Sequence, residues 1–100
     1  MSMTERKLSD LHGIGKKMLL DFALLDVASV GDLAHRDGDK LYRELESKTG
    51  SRQDPCVLDV FRCAVAQARD GQLPREECNW WWWSRERLAG RLAAAHPKGS

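Results

Sequence analysis

The residues of this chain best suited to binding chemistry lie in the stretch 10–17, which reads DLHGIGKK. Two glycines enclose one isoleucine there, and two lysines follow directly. Glycine inside a helix costs about 1 kcal/mol relative to alanine, so the glycine pair predicts a turn of special backbone geometry. Such a turn leaves amide N–H groups unpaired at the positive end of the next helix, which favours phosphate. The predicted phosphate-binding residues are Gly13, Ile14, Gly15, Lys16 and Lys17, with the isoleucine tucked inward as an anchor.

Patterns typical of catalysis or metal binding are missing from the sequence. It has no pair of acids at a recognisable spacing, no nucleophile motif and no phosphate loop of the Walker type. Cys56, Cys63 and Cys78 include no CxxC pair, and the histidines are not at zinc-ligand spacing. Cys56 and Cys63 would lie about 10 Å apart on one helix, which is too far for a disulfide. We therefore expect a protein that is not an enzyme and has no metal site or disulfide.

Four consecutive tryptophans follow in the C-terminal part of the chain: Trp80, Trp81, Trp82 and Trp83. They cannot all face one direction on a helix or a strand, so some of them should be partly exposed. Three interpretations stay open: packing of at least two between helices, which we favour, a surface for a partner or a second copy, and stacking on unpaired bases. The next arginines form either a second basic patch or a solvated helix face, the simpler interpretation; they are Arg85, Arg87 and Arg91.

Length and charge limit the classes of protein to consider. The 100 residues are enough for one domain with one core. The 16 basic and 15 acidic residues nearly balance, so any site for a polyanion must be local. No run approaches the roughly 18 apolar residues of a membrane span, and the first ten residues are polar, unlike a signal peptide. These features predict a soluble cytoplasmic protein with no membrane association.

Helix signals, without strand signals, recur along the chain. We predict helices at 4–11 with Thr4 as N-cap, at 16–25, at 29–35 from a capping box, and at 40–49 after Asp37 or Asp39. The clearest helix starts at Pro55 after Asp54 and stops before Gly71, and its broad apolar stripe makes it the central helix. A last helix is predicted at 85–95 with Ser84 as cap. The expected fold is all-α, a compact single domain of about five short helices over 4–95, with a frayed tail at 96–100.

The residues around the glycine pair resemble the helix-hairpin-helix motif of DNA-binding proteins, whose pattern runs close to Leu-Pro-Gly-Ile-Gly-x-Lys-x-Ala. The sequence LHGIGKKML keeps the leucine, both glycines, the isoleucine and Lys17. It departs at His12, which replaces the usual proline, and at Leu19, which stands where a small alanine lets the two helices approach closely. The resemblance implies sequence-independent contact with DNA phosphate. It also allows a monovalent cation on the carbonyl oxygens of residues 12–15.

A longer part of the chain, residues 8–83, resembles the bacterial pathogenicity-locus family, whose members are sometimes labelled mitomycin-resistance proteins. The resemblance rests on SVGDLAHRDGDKLYREL, on RQDPCVLDVF and on the tryptophan cluster. It implies a helical domain of the helix-hairpin-helix (SAM-like) class with a degenerate second hairpin around HRDG. Asp26 occupies the place where glycine commonly ends the second helix, which predicts a strained or differently closed turn.

Two functions follow as expectations. The first is a non-enzymatic DNA-binding module that contacts phosphate through residues 13–17 and binds in a salt-dependent manner. The alternative is an adaptor that uses the tryptophan segment to bind a protein partner or to form a homodimer.

Overall fold

A computed structural model describes residues 6–90 of the chain. All regular structure in this range is helical, which confirms the all-α class and the five short α-helices. They are α1 (Lys16–Leu24), α2 (Val30–Ala34), α3 (Gly38–Thr49), α4 (Pro55–Arg69) and α5 (Trp80–Leu88), with single 3-10 turns at Leu8–Asp10 and Arg75–Cys78. None of the helices in residues 6–90 combines the length and the apolar character required to cross a membrane.

Helix α4 is the centre of the fold, as its apolar stripe predicts. It packs against α2, α3 and α5, and the 3-10 turn before α5 also contacts it. Phe61 of α4 is fully buried and meets Phe22 of α1 with ring centroids 5.7 Å apart. Leu33 of α2 and Leu41 and Leu45 of α3 complete the most deeply buried cluster. One core therefore joins α1, α2, α3 and α4 with Leu11 and Ile14, on the two sides of Gly13.

The caps predicted for α2 and α3 are present. The side chain of Ser29 accepts a hydrogen bond from the amide of Asp32 at 3.0 Å, which fixes the start of α2. Of the two candidates for α3, Asp37 is the N-cap, and it accepts from the amide of Asp39 at 2.9 Å. Gly50 closes α3 in the left-handed conformation at φ +69°, as expected for a C-terminal glycine.

The turn after α1 is strained, as expected from an aspartate at position 26, where glycine commonly ends the helix. Asp26 has φ +61°, the only positive value at a non-glycine residue among residues 6–90. Aspartate tolerates this left-handed conformation better than most residues but less well than glycine. The region of the predicted second hairpin is a short connection, residues 35–37, between α2 and α3.

The first and last predicted helices differ from the structure. Of the helix predicted over 4–11, the described residues 6–11 form only a single 3-10 turn at Leu8–Asp10, and Thr4 lies outside the described residues. The prediction of Ser84 as a helix cap is wrong, because α5 begins at Trp80 after Asn79 and already contains Ser84. It ends at Leu88, before Gly90 at φ +75°. Residues 91–95 of the predicted helix and the predicted tail at 96–100 lie outside the described residues. Packing of the tryptophans moves this start, because aromatic residues have no strong helix propensity of their own.

Helices α3 and α4 approach each other closely at Gly38. A Cβ placed on Gly38 would lie 3.0 Å from the backbone nitrogen and Cα of Arg62, which is tighter than nine in ten real Cβ contacts. The side chain of Arg62 reaches back and donates two hydrogen bonds to the carboxylate of Asp39, at 2.8 and 3.1 Å. Glycine at position 38 therefore permits both the helix crossing and the ion pair.

Candidate nucleic-acid interface

The glycine turn joins the 3-10 turn at Leu8–Asp10 to α1. Gly13 has φ +82°, a conformation that suits glycine alone, whereas Gly15 is extended at φ −103° and serves as the N-cap of α1. Between them, Ile14 is half-buried and packs against the core, consistent with its predicted role as anchor. Leu11, on the other side, is 4% exposed. The turn is thus held by apolar side chains on both sides of Gly13.

Gln67 of α4 fixes the entry to the turn through the backbone of His12. Its side-chain oxygen accepts from the amide of His12 at 2.9 Å, and its side-chain nitrogen donates to the carbonyl of His12 at 3.1 Å. Gln67 is itself buried, and its backbone carbonyl accepts from the guanidinium of Arg6 at 2.9 Å. The position of the turn is therefore set by the central helix as well as by local sequence.

The start of α1 presents free amide groups. Within residues 6–90, the N–H groups of Gly15, Lys16 and Lys17 have no hydrogen-bond acceptor, as expected for the first turn of a helix. All three residues are exposed. A Cβ on Gly15 would have nothing within 4 Å, so the space beside the N-cap of α1 is open. Exposed N–H groups at the positive end of a helix dipole are suited to an anionic oxygen.

The two lysines are not equivalent. Lys17 donates to the carboxylate of Asp21 at 3.2 Å, one helical turn later, although its side chain remains 74% exposed. Lys16 is exposed and makes no ion pair with any of residues 6–90. Lys16 therefore contributes the less compensated positive charge beside the amides.

The carbonyl oxygens of residues 12–15 are unevenly occupied. His12 accepts from Gln67, and Gly15 accepts from the amide of Leu19 at 3.1 Å. Within the described range, the carbonyls of Gly13 and Ile14 accept no hydrogen bond. A monovalent cation at this turn would depend on those two oxygens, and it stays a prediction.

The four tryptophans fall into two pairs. Trp82 and Trp83 are half-buried and meet edge to face with centroids 5.1 Å apart, and the indole N–H of Trp83 donates to the carbonyl of Glu77 at 2.8 Å. Trp80 and Trp81 are 38% and 47% exposed. Packing of two tryptophans and exposure of the others is therefore the arrangement observed.

Trp80 lies against the glycine turn. A Cβ placed on Gly13 would be 4.0 Å from Cδ1 of Trp80, so the indole edge faces the turn at ordinary contact distance. The structure thus brings two separate sequence features, the glycines and the tryptophans, to one surface. Trp81 instead lies under the guanidinium of Arg85, with 5.4 Å between Cζ and the ring centroid.

Arg85 and Arg87, two residues of the predicted arginine patch, have different environments. Arg85 is exposed. Arg87 donates two hydrogen bonds, at 2.9 and 3.0 Å, to the carboxylate of Asp59, which is fully buried in α4. Hydrogen bonding to Asp59 raises the pKa of Arg87 above its ordinary value, although burial acts in the opposite direction. Arg87 therefore joins α5 to α4 rather than extending a free cationic surface with Arg85, and Arg91 lies outside the described residues.

The cysteines are all free thiols and differ in environment. Cys56 is exposed, whereas Cys63 is buried in α4. Burial raises the pKa of the Cys63 thiol to about 12, opposed in part by a hydrogen bond from Gln67. Across residues 6–90, no group of three or more His, Cys, Asp or Glu side chains is arranged to hold a metal ion.

The fold and this surface define a small all-helical protein with an exposed helix start beside exposed indoles. The chain matches the family described as Cdd1, pathogenicity locus, over residues 2–89, and it belongs to that family. It is also similar to the mitomycin resistance protein McrB of Streptomyces lavendulae, with 34% identity over 86 residues, which cover 83% of this chain and 78% of that protein. No solved structure matches the chain significantly.

Sequence reasoning missed two residues that shape this surface, Gln67 and Asp59, and it also missed the role of Arg87 as the partner of Asp59. Gln67 and His12 are separated by 55 positions, and Asp59 and Arg87 by 28, so no local pattern connects them. The one available signal was a polar residue within the apolar stripe of the central helix, since polar groups that are buried normally have specific partners.

Proposed function

We propose that this protein binds DNA without reading its sequence, by holding a backbone phosphate at the start of α1. The single observation that carries the proposal is the set of exposed amides at Gly15, Lys16 and Lys17, which have no acceptor within residues 6–90. Phosphate oxygens are strong acceptors that match such donors, and contacts of this type position a protein without specifying bases.

The charges support a local rather than a global interaction. The whole chain carries a formal net charge of +1, so long-range attraction to DNA is weak. Lys16 and Lys17 nevertheless place two positive side chains beside the free amides, with Asp21 compensating the second in part. The resemblance of residues 11–19 to the helix-hairpin-helix motif supports the same proposal, because contacts of that motif go to DNA phosphate. We expect weak binding that involves about two phosphate charges.

The test is the affinity for a labelled DNA duplex, measured by fluorescence anisotropy at two salt concentrations. With about two counterions released, a fourfold rise in salt should weaken binding about tenfold. A Gly15→Asp variant places a carboxylate at the N-cap of α1, where it occupies the amides and repels phosphate, and it should weaken binding at least tenfold. The matched control is Gly15→Ala, which adds only a methyl group where nothing lies within 4 Å and should retain most of the affinity.

Position 15 makes this comparison informative because it is the N-cap of α1. Aspartate is a favourable N-cap residue, and alanine replaces a glycine that makes no side-chain cap, so neither variant should unfold the protein. Equal binding by the aspartate and alanine variants would refute the phosphate site at α1. Binding that does not change with salt would refute a phosphate contact of any kind.

A second candidate is the adaptor that uses the tryptophan segment. The observation that favours it is the exposure of Trp80 and Trp81, at 38% and 47%. Sedimentation velocity over a wide range of protein concentrations should then show a dimer that disappears in a Trp80→Ala, Trp81→Ala double variant. A monomer at every concentration would exclude self-association.

A further inference from the structure

Trp80 of α5 is partly exposed and lies against the glycine turn. Its Cδ1 lies at contact distance from the position of a Gly13 Cβ, 4.0 Å, while 38% of the residue is exposed. Gly15 follows Gly13 by two residues, so their Cα atoms are at most about 7.6 Å apart. The partly exposed indole of Trp80 and the free amides of α1 are therefore close to each other, on the two ends of the short segment 13–15.

The fold does not use the exposed surface of Trp80. The indole N–H of Trp83 has a carbonyl acceptor, and its ring packs against Trp82. The ring of Trp81 is partnered by Arg85. The indole N–H of Trp80, in contrast, has no acceptor within the described part of the chain, and no other ring or guanidinium there stacks on it. Trp80 is thus the tryptophan of this segment that is free to receive a flat ligand.

We propose that Trp80 stacks on an unpaired base of the strand whose phosphate is held at the start of α1, so that the protein prefers single-stranded or locally unpaired DNA to a duplex. This inference rests on the proposed phosphate contact. Bases in a duplex are already stacked on each other, whereas unpaired bases expose faces that aromatic side chains can cover. Stacking of this kind tolerates any base, which fits a site without sequence readout.

The neighbouring positive charges favour a nucleotide over an apolar protein surface as the ligand of Trp80. Lys16 and Lys17 are both exposed on the same turn of α1 as the free amides, and together they favour a polyanion. A nucleotide carries both an aromatic face and an anionic group, which match the indole and the helix start respectively. The combination of stacking platforms with basic residues is typical of proteins that bind single-stranded nucleic acid.

The experiment compares two labelled strands of equal length and charge, one of thymidylate and one of abasic deoxyribose phosphate, by fluorescence anisotropy. The native protein should bind the thymidylate strand at least about fivefold more tightly, the gain expected from stacking one base. Trp80→Ala should bind both strands with the affinity of the native protein for the abasic strand. Trp80→Phe should restore part of the preference, and Trp81→Ala, which removes a second exposed indole, should keep it.

Each result bears separately on the two proposals. Gly15→Asp should weaken binding to both strands by the same factor, because it acts on phosphate alone. Equal binding of the thymidylate and abasic strands by the native protein would overturn the stacking inference and leave the phosphate contact in place. Loss of the preference in Trp81→Ala to the same extent as in Trp80→Ala would also overturn it. Binding of neither strand, at any salt concentration, would overturn both proposals.

Discussion

The side-chain amide of Gln67 forms two hydrogen bonds with the backbone of His12: it accepts from the N–H at 2.9 Å and donates to the carbonyl at 3.1 Å. This pair connects the buried face of α4 to the residue before the glycine turn. It satisfies a backbone N–H and a carbonyl that the turn leaves without partners in regular secondary structure. The geometry of the proposed phosphate site therefore depends on a residue far from it in sequence.

Replacing Gln67 with methionine should lower the free energy of unfolding by about 1–3 kcal/mol, because both groups of His12 lose their partner. Chemical denaturation in urea measures this change. Exchange of the hydrogen-bonded amides of His12 and Ile14 should also become faster in the variant, since the turn would open more often. Gln72→Met, at an exposed position, is the matched control and should leave both quantities nearly unchanged. Unaltered exchange at the turn in Gln67→Met would show that the pair does not hold it.

The two glycines of the turn should respond differently to substitution. Gly13→Ala should destabilise the protein by about 1 kcal/mol or more, because Gly13 has φ +82°. Gly15→Asn should leave stability within about 0.5 kcal/mol of the native value, since position 15 is extended and open. Thermal unfolding followed by circular dichroism measures both. A larger loss in Gly15→Asn than in Gly13→Ala would contradict the conformation assigned to the turn.

Gly38→Ala should destabilise the protein by about 1–3 kcal/mol, because its Cβ would meet the backbone of Arg62 at 3.0 Å and force α3 away from α4. Gly31→Ala is the control within another helix, where the nearest atom is the hydroxyl of Ser29 at 3.6 Å. There the better helix propensity of alanine should stabilise the protein by about 0.5–1 kcal/mol. Urea titration of both variants should give changes of opposite sign, and changes of the same sign would refute the close approach at Gly38.

Replacing Arg87 should strongly lower the free energy of unfolding, because Asp59 is fully buried and Arg87 is its ion-pair partner. Arg87→Met should cost about 3–5 kcal/mol of stability by leaving a buried carboxylate uncompensated. Combining it with Asp59→Leu should recover much of the loss, since an apolar pair avoids the desolvation penalty. Arg85→Met, on the exposed side of α5, should cost less than about 1 kcal/mol. A double variant no more stable than Arg87→Met alone would refute this account.

The cysteines should differ in reactivity. At pH 9 an alkylating reagent should modify exposed Cys56 in the native protein while Cys63 stays protected, because burial raises the pKa of Cys63 from 9.0 to about 12 and the thiolate is the reactive form. Mass spectrometry of the modified peptides measures this, and urea-unfolded protein, in which both should react, is the control. Equal modification in the native protein would contradict the burial of Cys63.

The same shift in pKa has a consequence for stability. The folded protein favours the neutral thiol of Cys63, so the corresponding stabilisation is fully present below pH 9 and is lost as the pH rises through about 12. Cys63→Ala should show a shallower loss of stability than the native protein over this interval, as followed by thermal unfolding.

Sequence patterns alone were enough to predict the helical class, the central helix, the caps of α2 and α3, and the strained turn at Asp26. These features depend on local rules: apolar spacing, side chains that accept from nearby amides, and backbone angles that few residues tolerate. The helix-hairpin-helix geometry and the DNA contact remain predictions from the glycine turn and its resemblance.

Three features could be known from the tertiary structure but not from the sequence. They are the division of the tryptophans into packed and exposed ones, the start of α5, and the contact between Trp80 and Gly13. The environments of the arginines also come from the tertiary structure: Arg87 pairs with Asp59, whereas Arg85 is exposed. These outcomes depend on contacts between residues tens of positions apart, whose energies arise only when the helices pack. A local sequence pattern carries no information about such partners, because neither half of the contact is favourable alone.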